Sequence, residues 1–150
     1  MMQEKGVEPT SLDDLLRRSD FVSLHLRLTD ETRHFIRKAE LAMMSPTSFL
    51  INTGRGGLVD EHALVDSLTA ERIAGAGLDV LELEPPDLSN PLLAMDNVII
   101  TGHSAGGTVE SIQDWLNEWM AIIDSYVSGH AIKNQVNQTE RERAADVPIA

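Results

Sequence analysis

Apolar residues along this chain fall alternately into short continuous runs and into helical spacing. Residues 1–10 are polar. Val7 marks a scrap of strand whose pairing Pro9 limits. Ser11-Leu12-Asp13-Asp14 resembles a capping box with aspartate in place of the usual glutamate. Leu12, Leu15 and Leu16 then share one face, which predicts a helix through about Arg18. Residues 20–26, with Phe-Val-Ser-Leu-His-Leu at their centre, predict a strand. Thr29-Asp30-Glu31-Thr32 opens a second helical region, because acidic residues favour a first turn. Phe35, Ile36, Leu41, Met43 and Met44 are its expected core residues, and Pro46 ends it.

The same alternation continues. Residues 48–52 predict a second strand, followed by a turn rich in glycine. A helix from Asp60 to about Ala70 would bury Ala63, Leu64 and Leu68. Residues 75–81 predict a third strand, whose small residues allow close helix approach. Glu82-Leu83-Glu84-Pro85-Pro86 ends it. Asn90-Pro91 reads as the N-cap and first position of a short helical turn. Residues 97–101 predict a fourth strand. Thr108 caps the longest helix, which runs to about Ser128 and stops at Gly129. Ile112, Trp115, Leu116, Trp119, Ile122, Ile123 and Tyr126 follow its period, so the two tryptophans are expected in a core or an interface. From about Gln138 the chain is charged and unpatterned, which predicts a disordered tail over 138–150.

Strands that alternate with helices predict an α/β fold with a parallel sheet and right-handed crossovers. The 150 residues suit one domain. A formal net charge of −12 argues against non-specific binding to nucleic acid or to an anionic membrane surface. The absence of cysteine excludes disulfides and cysteine–metal sites. No apolar run approaches the roughly 20 residues that span a bilayer, and the first residues do not form a secretion signal. A cytoplasmic protein without nucleic-acid or membrane partners is expected.

Three polar groups lie just past three predicted strands: Arg55, Glu84 and His103. Arg55 sits among Gly54, Gly56 and Gly57 on a strand-to-helix turn. In open α/β sheets ligands bind at that edge, and arginine there suits a planar anion such as a carboxylate. Each residue also has a plainer reading: a solvated turn arginine, a loop ion pair for Glu84, and a surface or capping histidine for His103. Placement after separate strands favours the chemical reading over the plain one.

Four stretches together resemble the D-isomer-specific 2-hydroxyacid dehydrogenases, over about residues 7–137. Residues 20–32, DFVSLHLRLTDET, look like the family's strand and its His-x-Pro-Leu-Thr-x-x-Thr turn. Residues 51–60, INTGRGGLVD, are similar to its arginine loop. Residues 76–85, AGLDVLELEP, look like its Asp and Glu-Pro segment. Residues 97–106, NVIITGHSAG, look like its catalytic histidine segment. Asn134 to Asn137 resembles its closing Asn-x-Val-Asn.

The resemblance implies an NAD-dependent oxidoreductase that moves a hydride between NAD(H) and a 2-hydroxy or 2-keto acid, with NADP left open. The fold it implies is Rossmann-like and doubly wound. Arg55 would clamp the substrate carboxylate and keto oxygen, His103 would be the general acid, and Glu84 would hold His103 and favour its protonated form. Thr53, Gly54 and Arg55 would touch the cofactor, with His25, Leu26, Arg27 and Thr32 bordering it on the other side. Asp79 would face the nicotinamide carboxamide, and His103, Ser104, Ala105 and Gly106 would complete the cofactor contacts. In plainer terms Asp79 is a solvated strand-end aspartate and His25 a satisfied core histidine. His34, His62 and His130 lie outside any motif and read as surface residues.

Departures from the family pattern alter the expectation. Gly102 stands where a proline usually precedes the histidine, Arg27 where a proline is usual, and Leu81 where an aromatic is common. No Gly-x-Gly-x-x-Gly occurs. The family carries that motif on the first strand of its cofactor domain, where a helix N-terminus holds the pyrophosphate. Residues 1–137 are therefore expected to form the later part of an NAD-binding domain, an incomplete doubly wound sheet lacking its first two strands and the substrate domain. A homodimer or a complementing chain is the expected macromolecular partner. Family members that act as transcriptional corepressors suggest the alternative, a catalytically inactive remnant or protein-interaction module of the same fold.

Overall fold

A computed structural model describes residues 6–132. The chain divides into two compact units, residues 1–105 and 106–150. The first contains α1 (Leu12–Arg18), β1 (Phe21–Leu24), α2 (Lys38–Leu41), β2 (Phe49–Asn52), α3 (Glu61–Thr69), β3 (Gly75–Leu78) and β4 (Val98–Ile100). The second contains α4 (Val109–Val127). Short 3-10 turns at Gly56–Leu58 and Pro91–Ala94 follow β2 and precede β4.

The four strands form one sheet in the order β1-β2-β3-β4, and every pair is parallel. All four carboxyl ends therefore share one edge, and the strands are laid down in chain order. This is the open, Rossmann-like α/β sheet that the alternation predicts, with β1 at one margin. The register pairs Leu24 with Asn52 and Asn52 with Leu78.

Capping residues act where the sequence places them. Ser11 accepts from the Asp14 amide, Asp60 from that of Ala63, Asn90 from that of Leu92, and Thr108 from that of Ser111. Gly129 ends α4 at φ +72°. Leu16, Ile36, Leu41, Leu50, Leu64, Leu68 and Met44 are buried as expected, with Leu12, Phe35 and Met43 packed at the margin, but Leu15, expected on the same face as Leu16, is 38% exposed.

Several expectations are corrected. The helical region opening at Thr29 is mostly not helix. Its first half is a series of turns, in which the Thr29 carbonyl accepts from Thr32 and Arg33. Ile36 then leaves helical geometry to bridge Val59 in parallel, and only Lys38–Leu41 is helical. Long-range pairing with the arginine loop has overridden local helix preference. Val7 belongs to no strand and is exposed. The strands are shorter than predicted, β3 ending at Leu78 rather than 81. No residue of α4 is buried: Trp115 and Trp119 are 52% and 62% exposed, so neither is a core residue. The predicted tail and the Asn134–Asn137 motif lie outside the described residues.

One face of the sheet carries the core. Val22, Leu24, Leu50, Ala76 and Leu78 are buried there. On the opposite face Phe21 is 67% and Ile99 71% exposed. Phe21 and Phe49, cross-strand partners, stack with ring centroids 5.4 Å apart. Parallel sheets ordinarily have both faces covered, so this apolar surface favours association. Phe21→Ser with Ile99→Ser is expected to lower static light scattering at high protein concentration, because both side chains add exposed apolar area; unchanged scattering would show that the face does not associate.

Two close approaches fix the sheet edge. A Cβ built on Gly75 would meet the Asn97 carbonyl oxygen at 2.4 Å, and one on Gly56 would meet the Leu81 carbonyl oxygen at 1.9 Å. Backbone there cannot yield like a flexible side chain. Gly56→Ala is expected to cost at least about 2 kcal/mol, as overpacking commonly does. Gly106→Ala, whose Cβ meets nothing within 4 Å, should cost little. Thermal melts followed by circular dichroism compare them, and equal melting temperatures would refute the close-contact account.

Candidate active site at the carboxyl edge of the sheet

The arginine turn is built by a buried asparagine. Asn52, 1% exposed at the end of β2, accepts from the Gly54 amide at 3.1 Å and donates through Nδ2 to the Arg55 carbonyl at 3.0 Å. One side chain thus closes the turn from both sides. The Arg55 guanidinium is exposed, and its Nη1 donates to the Gly54 carbonyl at 2.7 Å. The turn is also tied to the segment before α2. The His34 amide donates to Gly57, that of Ile36 to Leu58, and that of Asp60 to Ile36.

Beyond β3 the chain forms a strap. Glu84 folds back so that its Oε1 accepts from the Leu81 amide at 2.9 Å. Its Oε2 lies 2.7 Å from His103 Nδ1. The hydrogen bond with His103, helped by the Leu81 amide, holds the Glu84 carboxyl below its ordinary range. An ionised carboxylate only accepts, so Nδ1 carries the ring proton and Nε2 is left open. The pair is part exposed, at 50% for the His103 side chain and 36% for that of Glu84.

His103 stands on a turn of two left-handed residues, Gly102 at φ +64° and His103 at φ +59°. Proline holds φ near −65° and could not occupy the Gly102 position in this turn. Asp79 holds the turn in place. Its carbonyl accepts from the His103 amide at 2.6 Å. Its Oδ1 accepts from the Thr101 hydroxyl at 2.6 Å and the Ser104 amide at 2.8 Å, and both carboxylate oxygens accept from the Ala105 amide. The Thr101 bond is the main cause keeping Asp79 below the usual carboxylate range, with the two amides and nearby His103 assisting against a desolvation that pushes it up. Asp79 is 5% exposed, so the plain reading of a solvated aspartate is corrected.

The remaining residues divide by place. His25, Leu26, Arg27, Thr53, Gly54 and Arg55 line one cleft of about 640 Å³ beyond β1 and β2. His25 is not a core histidine: it is exposed, with Nε2 2.9 Å from Ser23 Oγ. The Thr32 hydroxyl accepts from the Thr29 amide and donates to the Arg27 carbonyl, each at 2.7 Å, so it organises the turn that carries Arg27. Gly106 begins the second unit, where its carbonyl accepts from the Ser111 hydroxyl.

Sequence reasoning missed two features. Asn52 was legible in principle, since asparagine commonly bonds to the backbone two residues on. His34 was read as a surface residue, yet its Nε2 lies 2.6 Å from Glu82 Oε1 and both side chains are about one-third exposed. Their separation of 48 positions in the sequence leaves no local signal. His62 and His130 are exposed as expected. Among the described residues, no group of three or more histidines and carboxylates could hold a metal, and no helix is long and apolar enough to cross a membrane.

Comparison with known proteins agrees with this geometry. Residues 1–105 match the family described as D-isomer specific 2-hydroxyacid dehydrogenase, NAD binding domain. A glyoxylate reductase of Aeropyrum pernix is 51% identical over 109 residues, which cover 73% of this chain and 32% of that protein. A hydroxypyruvate reductase of Thermotoga maritima is 43% identical over 107 residues, 70% of this chain and 35% of that protein. The chain thus spans about a third of the length of these relatives. Among solved structures, the NAD-complexed D-isomer specific 2-hydroxyacid dehydrogenase of Lactobacillus delbrueckii ssp. bulgaricus superposes with a TM-score of 0.83 at 34% identity, covering 89% of this chain and 44% of that one. From its motifs, its parallel sheet and these matches, the chain belongs to the D-isomer-specific 2-hydroxyacid dehydrogenase family and carries part of that family's NAD-binding domain.

Proposed function

We propose that the chain carries the carboxylate-binding and acid–base residues of a reversible hydride transfer between NAD(H) and a 2-hydroxy or 2-keto acid. The observation that supports this most is the 2.7 Å bond between Glu84 and His103, formed at the sheet edge where the Arg55 turn emerges. The L. delbrueckii relative is described as NAD-complexed, and the A. pernix and T. maritima relatives are named as reductases of 2-keto acids.

The residues fit the nicotinamide end of such a cofactor. The cleft beyond β1 and β2 offers the Thr53 hydroxyl and, at Gly54, backbone free of any side chain. His25, Leu26 and Arg27 border it, with Thr32 supporting Arg27. Asp79 positions Ser104 and Ala105 and keeps part of Oδ2 for a donor. The cofactor, when bound, supplies or accepts the hydride. Arg55 binds the acid's carboxylate through its planar donor fork. His103 gives a proton from Nε2 to the carbonyl oxygen in reduction and takes one from the hydroxyl in oxidation. Glu84 holds the Nδ1 proton, orients the ring and stabilises the imidazolium.

A chimera tests this directly. This chain replaces the matching segment of the A. pernix glyoxylate reductase, and NADH-dependent glyoxylate reduction is followed. His103→Ala is expected to lower kcat by about 10²–10⁴-fold, the usual share of general acid–base catalysis. Arg55→Ala is expected to raise KM for glyoxylate with little change in NADH affinity. Unchanged turnover in the His103 variant would refute its assignment.

The pH profile provides a separate check. Glu84 is held below its ordinary range, so it stays charged beside His103 throughout the neutral range. Glu84→Gln replaces that charged acceptor of the Nδ1 proton by a neutral amide, so kcat is expected to fall while KM for glyoxylate stays near its starting value. In the unsubstituted chimera the same loss is expected only at acid pH, below the ordinary carboxylate range, where Glu84 takes up a proton. An unchanged kcat in the variant would sink the role given to Glu84.

α4 favours a second reading, a non-catalytic interaction module of the same fold. Its apolar residues follow helical spacing, yet none is buried. Inactivity of the chimera together with an unchanged melting temperature would turn the conclusion that way.

A further inference from the structure

The cleft beyond β1 and β2 opposes the charge of the whole chain. The chain has 24 acidic residues against 12 lysines and arginines. The cleft, formed by residues 25–28 and 53–55, is lined by two arginines and a histidine and by no carboxylate.

The fold places the two arginines at matching positions. Leu24 and Asn52 are register partners at the ends of β1 and β2. Arg27 and Arg55 each follow three residues later, on the two loops that make the cleft walls. Both loops are fixed by side chains: Thr32 holds the Arg27 carbonyl and Asn52 the Arg55 carbonyl. Their guanidiniums are not spent on carboxylates. That of Arg55 bonds only to the Gly54 carbonyl, and that of Arg27 has no hydrogen-bond or ion-pair partner among the described residues. Each guanidinium is a cation that presents five donors. Two such groups on one concave surface concentrate anions there.

We propose that this cleft takes two anionic groups at once, a carboxylate on Arg55 and a second carboxylate or a phosphate on Arg27. This rests on the reading of Arg55 as the carboxylate-binding residue and deepens it by naming what Arg27 adds. The second anion comes either from the acid, which is then a dicarboxylic or phosphorylated 2-hydroxy or 2-keto acid, or from the phosphate beside the nicotinamide ribose. A single carboxylate would leave Arg27 without a counter-ion.

The test uses the full chain, labelled with nitrogen-15, and follows the amide signals of Leu28, Thr53 and Gly54. Two pairs of probes are titrated. D-Lactate and D-malate differ by one carboxylate. Nicotinamide riboside and nicotinamide mononucleotide differ by one phosphate. In at least one pair the more anionic member is expected to bind roughly tenfold tighter, as a charge-assisted hydrogen bond allows. Arg27→Gln should erase that advantage, and Arg27→Lys should keep part of it. An Arg27-dependent advantage in the first pair places the second anion on the acid; one in the second pair places it on the nucleotide. Equal binding within both pairs, no binding of either pair, or an advantage that survives Arg27→Gln would overturn the proposal. Arg55→Gln separates the two ideas: unchanged lactate affinity would refute Arg55 as the carboxylate site, while the Arg27-dependent difference would still stand.

Discussion

The buried carboxylate of Asp79 holds the candidate site together. It sits one residue past β3 and ties the whole histidine turn to the sheet through Thr101, Ser104 and Ala105. Backbone amides donating to a carboxylate form strong, charge-assisted bonds. They allow Gly102 and His103 to stand in left-handed conformations, which cost free energy for a residue such as histidine. The Asp79 carbonyl adds a bond from the His103 amide, and the Ser104 hydroxyl closes the same turn onto the Thr101 carbonyl. Its proposed contact with a cofactor amide and its task in the fold are thus partly distinct. The structure shows the second, and only Oδ2 has capacity left for the first.

A second constraint links the other two residues of the site. Gly56 lies so close to the Leu81 carbonyl that no side chain fits between them. The arginine turn therefore leans on the strap that ends in Glu84. Asn52 shapes that turn from within the sheet, and the backbone ladder from His34 to Asp60 supports it from behind. His34 bonds to Glu82 on the same strap. Arg55, Glu84 and His103 are far apart in sequence and individually exposed. The elements that carry them are nonetheless joined by short backbone contacts, which is what a preorganised site needs.

The charge of the molecule is distributed with the same economy. A strongly acidic chain keeps carboxylates out of the β1–β2 cleft and gives it two arginines. The acidic groups that matter for the site, Asp79 and Glu84, are engaged by donors and held below their ordinary range. Local arrangement rather than net charge decides what the edge of the sheet can bind.

Much of this was legible in the sequence because it rests on local physics. Helix starts at Ser11, Asp60, Asn90 and Thr108 follow from short side chains that bond to nearby amides. The parallel sheet follows from the alternation of apolar runs with helical spacing. Arg55, Glu84 and His103 stood out because each follows a strand in a motif with its own spacing. Tertiary structure alone decided the rest. The segment after Thr29 gave up its helix because Ile36 pairs with Val59. His34 found Glu82 across a gap that no pattern spans. Asp79 became an anchor for the histidine turn only once β3 and β4 lay side by side. Arg27 and Arg55 came to share a cleft because β1 and β2 pair in register, and pairing between distant segments is not encoded in any local stretch.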